Sequence, residues 1–466
     1  MAFFLFLCTQ TMYSKKCIVQ NDNRIYNNEG GMDMREMKTD IRTQTENDNA
    51  TCRVPDSERK GFLSVAFVAA GYCICMSGLY TGAAIAAGLT LKNAIIATIL
   101  GNVILSIYGG LVGAAGAKEG VASAMLARHG FGRQGSKIVG ILLAVVMLGW
   151  FAVQVGFFGA TMAALFPTGG FITSKYVAAA WGGILMMLTA YFGYKGLNLL
   201  SYIAVPAIGI LSMVGVVIAV KGAGGLEVIA NIIPKEPMSI SAAVVAIVGS
   251  FAGGAAAQSD ITRYAKDEKT SWAGTIFGYL IANTFVILAG YFITASTGEG
   301  DLPKAFLAMG LGVAALLILI LAQWTTNDNN LYTASLGLAN CLPFTKHQIV
   351  IVTGVIATVV GAMGLADYFT TWLSVLGVAI PPVAGVIVCD YYLIKHRKYE
   401  YGAGARYCKW NIWAFISVIV GAVIGFTVTK GIASINSLVV SIVLYYVLMK
   451  LFKDSKIGII GEDIEE

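Results

Sequence analysis

From Gly61 onward the chain alternates apolar segments of about twenty residues with short polar breaks. Twenty helical residues span the hydrocarbon core of a bilayer, so this pattern calls for membrane-crossing helices instead of a soluble core. Composition agrees in a way that a single anchor could not produce. Of the 466 residues, 57% are hydrophobic and only 12% are charged, against roughly 25% charged in soluble domains. Fifty-four glycines beside nine prolines suit helices whose backbones approach closely in lipid. The predicted fold class is an all-α polytopic membrane protein with about twelve transmembrane helices, near 62–88, 93–116, 138–166, 176–194, 198–220, 239–259, 271–295, 305–340, 348–366, 369–394, 410–430 and 434–452.

Residues 1–60 are polar, rich in Asn, Asp, Lys and Arg, and read as a disordered cytoplasmic leader. The opening run Met1 to Cys8 is too short for a signal peptide and lacks a basic start. Met32 and Met34 offer later starts, so the expectation is that the first thirty or so residues are not translated. Asn49-Ala50-Thr51 matches the glycosylation triplet and is read as chance, given its cytoplasmic placement. Cys8, Cys17 and Cys52 fall in the leader, Cys73 and Cys75 in an apolar run, and Cys341, Cys389 and Cys408 near helix ends. That spacing supports neither a disulfide framework nor a zinc site. Positive charge sets the orientation. Of the 32 Lys and Arg, nine lie in the leader, seventeen in the even-numbered breaks and the C-terminal tail, and six in the odd-numbered breaks. Both termini are therefore expected in the cytoplasm, with the chain in the plasma (inner) membrane.

Two helices differ from the rest. The first contains Gly71-Tyr72-Cys73-Ile74-Cys75-Met76-Ser77-Gly78, and the sixth contains Gly249-Ser250-Phe251-Ala252-Gly253-Gly254. Glycine and serine at mid-depth weaken a helix, and the two runs occupy matching places in two five-helix halves, 61–221 and 239–394. Paired interruptions of this kind point to an inverted-repeat secondary transporter with a midplane site. Close packing is the plainer explanation of either run alone. Residues 410–452 would add two peripheral helices, and 453–466 a cytoplasmic tail.

No catalytic set stands out. His129, His347 and His396 all fall in loops predicted to be cytoplasmic, far apart in sequence, so no metal cluster or acid–base pair assembles from them at mid-membrane. Asp328 alone among the carboxylates lies within an apolar segment, and Asp260 and Asp390 sit at helix ends. Thr325 and Thr326 come near mid-depth in the eighth helix. With carbonyls freed by an opened first helix, their hydroxyls would make a neutral oxygen cage suited to sodium. The alternative is that both bond back to carbonyls of the preceding turn. Asp260 and Arg263 are expected to form a latch or intracellular gate, with Asp328 a further gating candidate. Trp150 and Gln154 share a helix face, and Phe251 sits in the sixth-helix break. Two aromatic faces stacking a flat base supply roughly 1–3 kcal/mol each, and the amides of Gln154 and Asn327 would read its edge.

The chain resembles the nucleobase:cation symporter-1 family, and within it the cytosine permease branch. The likeness runs from Arg59-Lys60-Gly61 to Asp390-Tyr391-Tyr392. It is carried by Gly149-Trp150-Phe151, Ala204-Val205-Pro206-Ala207-Ile208, Val248-Gly249-Ser250-Phe251, Asp260-Ile261-Thr262-Arg263-Tyr264, Trp324-Thr325-Thr326-Asn327-Asp328-Asn329 and Ala379-Ile380-Pro381-Pro382-Val383. The resemblance implies a LeuT-type fold of five plus five helices in inverted repeat, with two extra helices, and symport of a heterocyclic base with a cation. It implies carbonyl ligands to sodium at Gly71, Ile74 and Ala322, and hydroxyl ligands at Thr325 and Thr326. The base would stack between Trp150 and Phe251, with the Cys75 backbone, Gln154, Ser250, Gly253 and Asn327 at its edges. Met147 stands where the cytosine pattern has a polar reader, and Ala322 replaces a side chain able to carry an amide. Cytosine is the expected base, with hydroxymethylpyrimidine, a purine or a hydantoin-type ring as alternatives and a proton as the alternative ion. No enzyme activity, cofactor, nucleic acid or obligate protein partner is expected. The rival from another class is a membrane sensor that binds a base without transporting it.

Overall fold

The computed structural model describes residues 52–466 except 193, 235, 340, 343, 403, 453–456, 465 and 466. The expectations for the leader up to Thr51, including the glycosylation triplet and the translation start, lie outside the described residues. Twelve spans are seen among the described residues, at nearly the predicted places. The first is two helices, α1 (Phe62–Cys73) and α2 (Met76–Ala86), bent by 53°. After α3 (Leu91–Glu119) a short helix α4 (Ser123–Phe131) turns the chain back into α5 (Gly135–Leu165). Then come α6 (Lys175–Phe192), α7 (Tyr194–Gly222), α8 (Ile240–Ala256), α9 (Glu268–Thr297), α10 (Gly312–Ala339), α11 (Lys346–Ala362) and α12 (Leu365–Ile394). Two outer helices, α13 (Ile412–Thr427) and α14 (Ala433–Leu451), complete the bundle.

Glycine decides how closely the helices cross. A Cβ on Gly249 of α8 would lie 1.8 Å from the Leu373 carbonyl oxygen of α12. One on Gly82 of α2 would lie 1.9 Å from the Ile287 carbonyl oxygen of α9. Only hydrogen side chains permit these backbone contacts, as expected where helices associate in lipid by close fit. Apolar side chains that remain exposed, such as Val352, Ile356 and Val359 on α11 and Ile419, Val423 and Phe426 on α13, belong against acyl chains.

Several departures from the sequence reading have local causes. The predicted eighth helix, 305–340, is interrupted, because Gly310 and Gly312 take φ of +74° and +63° between a short helix Leu302–Ala308 and α10. The sixth helix opens less than its glycines suggest. Phe251 alone leaves helical geometry, at φ −133° and ψ 16°, and the helix continues to Ala256. π-Helical stretches interrupt α9 at Phe277–Asn283 and end α12 at Cys389–Ile394. The tail is not wholly irregular, since β2 (Ile459–Ile464) pairs antiparallel with β1 (Arg406–Asn411). The last residues of the leader have fixed partners too. The Arg59 Nη1 donates to the Ala117 carbonyl at 2.8 Å, and the amide of Lys60 to the Tyr264 carbonyl at 2.6 Å. Cys52 is disulfide-bonded, which its isolated place in the sequence did not suggest.

Candidate substrate and cation site

The bend in the first span frees two carbonyls. In a continuous helix the amide of Cys75 would bond to Gly71 and that of Gly78 to Ile74. Instead the Cys75 amide bonds to the Cys73 carbonyl at 3.0 Å, and the Gly78 amide to the Cys75 carbonyl at 3.1 Å. Cys75 is extended, at φ −141° and ψ 165°, and no side chain caps the helix it begins. The Gly71 and Ile74 oxygens are therefore released at the hinge predicted from the glycine run. The Cys75 thiol lies 3.0 Å from the Ser77 hydroxyl, so only the backbone of Cys75 is left to serve a ligand.

On α10, Thr325 and Thr326 both donate to the Ala322 carbonyl, at 3.0 and 2.9 Å. This is the back-bonded arrangement weighed against the cation cage. The two are compatible, because a hydroxyl that gives its proton to a carbonyl keeps its lone pairs for a cation. The result is three oxygens clustered within one turn.

Trp150 on α5 is 6% exposed and meets Phe369 and Trp372 of α12 edge-on, with centroids 6.3 Å away in each case. Phe251 meets Tyr72 at 5.3 Å and Tyr279 at 5.9 Å. The kink of α8 lies against the Trp150 helix, since a Cβ on Gly253 would be 2.8 Å from Val146 and 3.1 Å from Met147. Tyr80 stacks on Phe157 at 3.8 Å, and Phe369 closes on both, so one side of the Trp150 region is sealed by aromatic rings. Neither Tyr80 nor Phe369 was singled out from the sequence, because a lone aromatic in an apolar run carries no signal of its own.

The polar candidates divide. Gln154 is fully buried, and neither of its amide atoms has a protein partner. The Ser250 hydroxyl donates to the Ile247 carbonyl at 2.7 Å, within its own helix. The Asn327 amide nitrogen donates to the Phe151 carbonyl at 3.1 Å, which leaves its oxygen unpaired. Gln323, one turn before Asn327 and equally buried, was missed; its spacing from Asn327 was the available signal.

The gating candidates do not meet. Asp328 accepts from Thr189 of α6 at 2.6 Å, and Thr189 in turn accepts from the Trp324 indole at 2.9 Å, so this carboxyl faces α6 instead of the hinge. Asp260 accepts from the Ser123 amide at 2.7 Å, at the start of α4. Burial raises its carboxyl, against the pull of the Arg263 charge and the Ser123 bonds. The guanidinium of Arg263 lies over the Tyr264 ring at 5.0 Å. Asp260 thus ties α4 to the end of the sixth span, which is the latch role and not a substrate contact. His129 stacks on Tyr399 at 3.7 Å, and His347 meets Tyr191 at 4.7 Å.

A dozen spans built around a broken first helix and a kinked sixth define a multi-pass membrane permease. Its fold is that of Mhp1 in the inward-facing conformation, with a TM-score of 0.76 at 21% identity, over 86% of this chain and 93% of that one. The family model described as "Permease for cytosine/purines, uracil, thiamine, allantoin" matches residues 53–449. The chain is 34% identical to the cytosine permease of Escherichia coli K12 over 398 residues, 85% of this chain and 92% of that protein. It is 24% identical to the hydantoin permease of Microbacterium maritypicum over 395 residues, 76% of this chain and 79% of that protein. The chain belongs to this permease family, the nucleobase:cation symporter-1 family, in its cytosine permease branch.

Proposed function

We propose that the chain carries a nucleobase, cytosine foremost, across the plasma membrane together with sodium by alternating access. The carrying observation is the hinge at Ile74–Cys75, which releases two carbonyl oxygens in a protein whose α10 gathers three more. A neutral oxygen set suits a hard monovalent cation. Gly71, Ile74 and Ala322 would supply carbonyls and Thr325 and Thr326 hydroxyls. The base would lie between Trp150 and Phe251, with Gln154, Asn327, Ser250, Gly253 and the Cys75 backbone along its edge. Sodium is favoured over a proton because the buried Asp328 is engaged by Thr189. The Lys and Arg bias supports cytoplasmic termini. One inward positive charge supplies ~2.3 kcal/mol per 100 mV, and a 10- to 100-fold accumulation of a neutral base costs roughly 1.4–2.8 kcal/mol, so one ion suffices.

Uptake of labelled cytosine into proteoliposomes tests this. An inward sodium gradient should drive accumulation above equilibrium, and an equal gradient of choline should not. Cytosine binding without either uptake or counterflow would replace the carrier with the sensor.

A further inference from the structure

Two of the three buried amides between α5 and α10 have only one orientation open to them. The Asn327 nitrogen donates to the Phe151 carbonyl at 3.1 Å and also touches the Met186 sulfur at 3.2 Å. A carbonyl can only accept, so the nitrogen must face it. The Gln323 nitrogen lies 3.0 Å from the Thr161 hydroxyl. That hydroxyl gives its own proton to the Phe157 carbonyl at 2.9 Å, so towards Gln323 it can only accept. Both amides are thereby locked with nitrogen on the scaffold and oxygen left over. Gln323 Oε1 and Asn327 Oδ1 have no protein partner, and both residues are 0% exposed. Gln154, also 0% exposed and one turn from Trp150 on α5, has neither amide atom paired and is free to turn.

A buried acceptor without a donor is unfavourable, and a site holding two of them favours a ligand rich in N–H. We propose that this site selects amino-substituted heterocycles over their oxo analogues, with Gln323 a specificity-determining residue and Thr161 its positioning residue. The inference rests on the base-carrier reading above and adds the chemistry of the ring edge. The exocyclic amine of cytosine or adenine brings two N–H donors to the fixed oxygens. The matching carbonyl of uracil or hypoxanthine sets oxygen against oxygen. Gln154 adapts to the remaining edge, where Met147 has nothing to offer.

The test is binding of cytosine and uracil, and of adenine and hypoxanthine, to the purified full chain in saturating sodium. The wild type should prefer the amino member of a bound pair by ~100-fold or more. Gln323→Met keeps length and loses the acceptor, so cytosine should weaken ~10- to 100-fold while uracil stays within ~3-fold. Thr161→Val removes the lock, lets the Gln323 amide reverse and should narrow the cytosine-to-uracil ratio to ~10-fold or less. Thr161→Ser keeps the lock and should keep the ratio, which a merely structural role for Thr161 does not predict. Equal binding of cytosine and uracil by the wild type overturns the proposal, as does a ratio unmoved in Thr161→Val. Failure to bind any of the four bases overturns the carrier reading along with it, whereas binding without amino preference overturns only the selectivity.

Discussion

Replacing Thr326 by valine keeps the side-chain shape and removes one oxygen from the trio on α10. In the structure its hydroxyl sits 2.9 Å from the Ala322 carbonyl, and Thr325 reaches the same carbonyl at 3.0 Å. The substitution therefore deletes one of five candidate ligands and one back-bond, without opening a cavity. A contact between a polar group and a charge is worth about 1.5–3 kcal/mol, which translates to a ~10- to 150-fold rise in the sodium concentration for half-maximal uptake. Because the base lies on Trp150 and Phe251, uptake at saturating sodium should change by less than ~3-fold. The assay is cytosine uptake into proteoliposomes across a range of external sodium, for wild type, Thr326→Val and Thr325→Val. An unchanged sodium dependence in both variants would refute the assignment and leave the two hydroxyls as ordinary helix back-bonds.

Other consequences follow from single contacts. Trp150→Ala should weaken cytosine binding by ~5- to 150-fold through loss of one stacking face, with the melting temperature and sodium binding read as controls. Gly249→Ala forces a methyl to within 1.8 Å of the Leu373 oxygen, so α8 and α12 must separate, at a cost of ~1–3 kcal/mol or more read as a fall in melting temperature. Gly209→Ala on α7, with nothing within 4 Å, is its neutral control. His129 has its imidazole pushed down to about 3, chiefly by burial and then by the Lys395 charge. Unfolded chains take up that proton first, so stability is complete above about pH 6.5 and falls as pH drops towards the folded value, by ~1.4 kcal/mol at pH 5.5. His129→Phe, which keeps the stack on Tyr399, should flatten melting temperature between pH 7.5 and 5.5.

The spans were legible because bilayer thickness imposes a length on apolar runs that needs no tertiary information. The hinge of the first span was legible for a similar local reason, since Gly71 and Gly78 flank it. The sixth span shows the limit of that argument. Gly249, Gly253 and Gly254 serve close approach to Leu373, Val146 and Tyr72, so three glycines gave one kinked residue instead of an open stretch. Trp150, Gln154 and Thr325 were found because motif and helix spacing agree. Gln323 was passed over because its meaning depends on Thr161, 162 positions away. Asp328 and Asp260 were rightly seen as buried or latching, but the partners that engage them, Thr189 and the Ser123 amide, are set by packing between distant helices. The pairing of β1 with β2 was invisible for the same reason.

Calorimetric titration of cytosine into the purified chain, with sodium present and with choline in its place, puts the paired ion and base site to its most direct trial. Linkage requires that a cation completing the base site tighten the base and be tightened by it equally. The account predicts at least ~10-fold tighter cytosine binding in sodium, lost in Thr325→Val/Thr326→Val. The same dissociation constant in both salts would contradict it.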